Sequence, residues 1–215
     1  MSDHNISLAQ NLIDYVLTFP VPRDFKNTLQ EQVTSATFSI EHYEDCFKIL
    51  FKCKDNIKTF PAWMPTLLQS CQLLKDSGPL VCQLFVEKGY IVQFEVVDMG
   101  LSRIDWDYFW LQEPIFDIEY DLDRIKNMLE IEGTVVSGFC VYKTAVSFKL
   151  DANGRHYTIR LNGCDIRTFP TVGTLNNCTL KIYSKCHNEP PYRVMSLDGK
   201  IDITCSLIGL QKNHL

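Results

Sequence analysis

The sequence has little of what most catalytic, metal-binding or membrane classes require. Its ten glycines are scattered, and the closest pair, Gly133 and Gly138, lies five apart. Neither a dinucleotide fingerprint nor a phosphate-cradling P-loop can be drawn from that spacing. GxSxG, SxxK and HExxH are also missing, which removes the common signatures of hydrolases and zinc peptidases. No apolar run approaches the ~18 residues that span a bilayer, so no membrane association is expected. Basic residues are in deficit, 21 against 26 acids for a net charge of −5. A general nucleic-acid or anionic-membrane binder needs a basic face instead.

Cysteine is plentiful, but not in metal-binding order. The nine are Cys46, Cys53, Cys71, Cys82, Cys140, Cys164, Cys178, Cys186 and Cys205, and no two form a CxxC pair. Tetrahedral zinc needs short-range ligand pairs, so no metal or other cofactor is expected. Met1 to Asn5 lacks a basic stretch leading into an apolar one, which argues against a signal peptide. Reduced thiols in a cytoplasmic protein are the expectation. Cys186-His187 is the one adjacent Cys/His pair. Neighbours on an extended chain point to opposite sides, so no catalytic residue is assigned.

What is present is a core-forming pattern. Hydrophobic residues make up 46% of the 215, enough for one large domain or two small ones. Ser7 and Gln10 have capping-box spacing ahead of Leu12, Ile13, Val16 and Leu17, which predicts a first helix ended by Pro20 and Pro22. Phe25, Leu29 and Val33 predict a second. Phe47, Ile49 and Phe51 alternate with Lys48, Leu50 and Lys52 as in a strand. Leu80–Val86 and Tyr90–Val97 flank Gly89 as a hairpin, with Tyr90, Val92, Phe94 and Val96 expected on one face. Between these, Leu67, Leu68, Cys71 and Leu74 suggest a helix across Trp63–Lys75.

The second half reads as almost all strand. Val146, Phe148 and Leu150 turn through Asp151-Ala152-Asn153-Gly154 into Tyr157, Ile159 and Leu161. Leu180 and Ile182 mark another strand, and Ile201, Ile203, Cys205 and Leu207 a continuous one. The expected fold class is α+β: N-terminal helices on an antiparallel sheet (residues 1–115), followed by a C-terminal all-β sandwich-like module (residues 116–215).

One segment departs from the average composition. Residues 105–123 carry seven acids and no base, with six aromatics between them. Trp and Tyr anchor interfaces, and carboxylates around them steer a basic partner. Asp105, Trp106, Asp107, Tyr108, Trp110, Asp117 and Glu119 are therefore the expected partner-binding residues. Paired acids such as Asp105 and Asp107 lack the further oxygens a divalent cation needs.

Leu29–Val33, Cys46–Cys53, the run Leu84 to Val96 through Gly89-Tyr90, and Ile104-Asp105 together resemble a pattern in uncharacterised bacterial proteins of the toxin-immunity type. The resemblance covers residues 27–107. It implies a non-enzymatic protein that masks a basic toxin domain, and it carries no catalytic residues. Two other classes compete with it. One is an enzyme or small-ligand binder with its site between the two modules. The other is a structural subunit whose exposed strand edge pairs with another chain.

Overall fold

A computed structural model of the chain describes residues 3–72, 80–98, 115–131, 134–169, 178–184 and 191–211. It is α+β, with fourteen strands and three α-helices among the described residues. The strands form three antiparallel sheets. The chain divides into two units, one of Met1–Ala62 with Thr66–Asp117, the other of Trp63–Pro65 with Ile118–Leu215.

In the first unit, α1 (Asp3–Thr18) starts earlier than the capping box implied. Gln10 donates forward to Asp14 at 2.8 Å rather than back toward Ser7. Pro22 precedes a 3₁₀ turn, Arg23–Phe25, that runs into α2 (Lys26–Ser35). The sheet comprises β1 (Thr37–His42), β2 (Cys46–Lys52), β3 (Leu67–Gln72), β4 (Leu80–Glu87) and β5 (Tyr90–Asp98), in the order β1-β2-β5-β4-β3. Its inner side chains, among them Ile49, Leu68, Leu84 and Phe94, are buried. The Phe94 ring meets Tyr15 of α1, and Phe19 just beyond its end, edge-on at 5.9 and 5.6 Å.

Two expectations need correction here. Where the spacing predicts a helix across Trp63–Lys75, a turn and bend over residues 63–66 lead into β3 at Leu67–Gln72. Leu67, Leu68 and Cys71 imitate helical spacing, but period-two pairing with β4 wins: Leu68, Ser70 and Gln72 are buried. The buried Ser and Gln disguised the strand. The β4–β5 hairpin forms through Lys88 (φ 51°) and Gly89 (φ 83°), both in the left-handed region that a two-residue turn needs. A bulge at Phe85/Val86 then leaves Val92 without a partner. The inward set is therefore Ile91, Phe94 and Val96, and Tyr90 and Val92 are only half-buried.

The second unit holds two sheets. One orders β6 (Ile118–Glu119), β14 (Leu207–Gln211), β9 (Arg155–Asn162), β8 (Ala145–Ala152) and β7 (Val135–Tyr142). The other orders β10 (Asp165–Thr168), β13 (Asp202–Cys205), β12 (Tyr192–Ser196) and β11 (Leu180–Ser184). The β8–β9 hairpin pairs Phe148 with Ile159 and Leu150 with Tyr157, and turns at Asn153-Gly154. The strand predicted from Ile201 through Leu207 breaks at Ser206, whose amide donates to the Asn162 carbonyl at 2.9 Å. Its two halves serve different sheets. The module is not all-β, because α3 (Leu122–Leu129) adds Ile125, Met128 and Leu129 to the core shared by Phe148, Ile159, Val194 and Ile203.

Candidate partner-binding surface

The acidic, aromatic segment separates into residues with different roles. Asp105, Trp106, Asp107, Tyr108 and Trp110 lie outside the described residues. Downstream, Ile115 is 54% exposed, while Phe116 turns inward. Its ring packs edge-on against Tyr15 and Phe19 at 6.0 and 5.5 Å. Its backbone forms an isolated bridge with Gln72 at the end of β3.

Asp117 is not a surface carboxylate. It is 3% exposed, and its Oδ1 accepts from Ser70 Oγ at 2.9 Å and from the Cys71 amide at 2.7 Å. Its own amide donates back to the Cys71 carbonyl at 2.9 Å. A buried carboxylate held by donors of its own chain costs too much to expose, so Asp117 leaves the expected partner-binding set. Glu119 accepts from the Arg124 guanidinium, one residue beyond the acidic window. Asp121 caps α3 by accepting from the Arg124 amide at 3.0 Å. The sequence reasoning missed α3. Its signal was Asp121 as a cap, followed by Leu122, Ile125 and Leu129 on one stripe.

Phe116 and Asp117 are therefore fixed to the edge of the first sheet. Beside that edge lies the sheet's outer face. Cross-strand register carries one polar ladder over all five strands: Glu41, Lys48, Glu95, Gln83 and Gln69. Glu95 is its hub. It receives Lys48 Nζ at 3.4 Å, Cys46 Sγ at 3.0 Å and Gln93 Nε2 at 3.2 Å. Burial and then the hydrogen bond to Glu95 push the Cys46 thiol up to about 12. Lys48 sits 5.5 Å over the Tyr43 ring, whose hydroxyl donates to Glu41 at 3.1 Å. Leu50, Val81, Phe85 and Val97 flank the ladder half-buried, and Leu67 is 39% exposed. This is a mixed apolar and polar face on a rigid support. Its signal lay in the outward positions of strands read for their inward residues.

The eight described cysteines are free thiols. Burial raises Cys82 and Cys164 to about 12 and Cys205 further still. Thiols so shifted are poor nucleophiles at neutral pH. Cys186 and His187 lie outside the described residues. Among the described residues, no group of three or more His, Cys, Asp or Glu side chains is arranged to hold a metal ion. No described helix is long and apolar enough to cross a membrane. No family model, curated protein or solved structure matches the chain.

Proposed function

We propose that the chain is a non-enzymatic binding protein that captures a basic protein partner on its first unit. Residues Asp105 to Trp110 supply the anchor, and the outer sheet face supplies the surrounding contact. One observation carries this reading: Phe116 and Asp117 are tied to β3 by the Gln72 bridge and by the Ser70 and Cys71 hydrogen bonds. A binding segment attached to a fixed point loses less freedom on docking, which favours affinity. Trp and Tyr then provide contact area, and Asp105 and Asp107 provide steering. Asp117 serves the fold and is not part of the surface, and the half-buried Glu119 carboxylate is engaged by Arg124.

The resemblance of residues 27–107 to toxin-immunity proteins suggests the partner: a bacterial toxin domain with a basic surface, blocked by steric occlusion. Free thiols fit a reducing, cytoplasmic setting. In architectural terms, the contacts of Tyr15 and Phe19 with Phe94 support helices laid on a sheet in the first unit. The shared core of the second unit supports a sandwich-like module.

Co-precipitation of the products of neighbouring genes tests the reading. The parent retains a basic partner, whereas Trp110→Ala and Asp107→Lys each weaken it by about tenfold or more, as expected for an aromatic anchor and a reversed steering charge. A partner held equally well by both variants overturns it.

A further inference from the structure

The second unit carries a groove that the proposed function does not use. It lies between the end of α3 and β11, with a volume of about 690 Å³, within the range of ligand and peptide sites. Leu129, Leu180 and Ile182 line it as apolar residues; Leu129 and Leu180 are core residues, and Ile182 packs against that core. Lys126, Lys181 and Tyr183 line it too, and Tyr183 is 47% exposed.

Two features indicate the occupant. First, β11 is the terminal strand of its sheet among the described residues, bonded on one side to β12. Such an edge presents a row of amides and carbonyls to an added strand. Second, Lys126 and Lys181 stand without a carboxylate partner among the described residues. The Lys126 ammonium donates to the neutral Ser184 hydroxyl at 3.3 Å. Among the described residues, the groove holds one acid, Glu130, against these two lysines, in a protein whose net charge is −5. The two lysines also differ in position. Lys126 belongs to α3, while Lys181 alternates along β11 with the buried Leu180.

We infer that β11 and this groove bind an extended acidic peptide by strand addition. Backbone pairing to β11 gives the affinity, apolar side chains of the peptide settle on Leu129, Leu180 and Ile182, and its carboxylates meet Lys126 and Lys181. Lysines on an exposed edge also serve to repel unwanted strands. That simpler role predicts no preference among peptides, so the two are separable.

The probe is a dye-labelled peptide of roughly eight residues alternating glutamate and valine, a length that covers a typical strand. Binding to the full chain is followed by fluorescence anisotropy. The parent binds this peptide at least about tenfold more tightly than a lysine–valine peptide, and than a glutamate–valine peptide with a central proline that cannot complete the ladder. The double variant Lys126→Glu/Lys181→Glu reverses the charge preference. Amides of residues 180–184 gain protection from hydrogen exchange when the first peptide is present. Equal binding of the proline or lysine peptide overturns the inference, as does no binding at all. If the double variant melts below the parent, the parent's discrimination among the three peptides decides alone. The site shares no residue with the surface proposed for the basic partner, so either reading can fail while the other stands.

Discussion

At the scale of single residues, buried polar side chains do much of the specifying. Gln32 is fully buried, and its side chain is held by backbone groups. Its amide donates to the Lys58 and Gly89 carbonyls at 2.8 and 2.9 Å, and its oxygen accepts from the Ile91 amide at 2.8 Å. Gln32→Ala removes these three bonds and opens a small cavity, a cost of about 3 kcal/mol. Urea denaturation reads it as a lowered midpoint at unchanged slope. The thiols give a pH signature. Cys46, Cys82 and Cys164 have folded pKa values raised to about 12, against about 8.5 for an unfolded cysteine. Their contribution to stability is complete below the unfolded value and declines as pH rises toward the folded one. The slope is about 1.4 kcal/mol per pH unit for each thiol. Denaturation midpoints measured between neutral pH and the alkaline range follow that decline, and Cys82→Ala removes one thiol's share of it. Exposure sets reactivity at neutral pH: Cys140 is the one exposed thiol among the described cysteines. A single equivalent of maleimide, located by peptide mass spectrometry, is found there ahead of Cys82 and Cys205.

At the scale of elements, legibility followed the kind of signal. The β8–β9 hairpin was readable because alternation and turn residues agreed, and its register pairs the residues that alternation picked out. Three elements were not readable, each for a different reason. In β3, polar residues occupy the buried positions, so periodicity pointed the wrong way. The break at Ser206 sits inside an unbroken alternating run, and only the change of sheet reveals it. In α3, acids that begin a helix look like acids on a surface. The candidate site failed in part for the same reason, since composition does not distinguish a carboxylate aimed at solvent from Asp117 aimed at Ser70 and Cys71. The turns allow a paired test. At Gly154 an added Cβ meets nothing within 4 Å, so Gly154→Ala bears only the left-handed backbone penalty, about 1–2 kcal/mol. At Gly89 the same atom falls 2.6 Å from the Phe60 carbonyl oxygen and 2.9 Å from Thr59 Cβ. Gly89→Ala therefore destabilises substantially more than Gly154→Ala, read as the difference between their thermal midpoints.

At the scale of the whole molecule, the order of the chain constrains how each unit is completed. The second unit takes Trp63–Pro65 from within the first stretch of sequence, then Ile118 onward. Its larger sheet is closed by the last described strand: β14 lies between β6 and β9, pairing Leu210 with Glu119 on one side and with Ile159 on the other. Ile208 and Leu210 both enter the core. That sheet cannot be finished until Leu207–Gln211 is in place, and pairings so distant in sequence form slowly. The first unit contains no residue beyond Asp117. A chain ending at Ser206 should accordingly lose the second unit selectively. In hydrogen-exchange mass spectrometry, amides of β8 and β9 lose their protection, while those of β4 and β5, closed by their own hairpin and backed by Tyr15 and Phe19, retain it. Loss of protection in both sets together would mean that the two units fold as one cooperative body, and the division drawn from their internal contacts would carry no thermodynamic meaning.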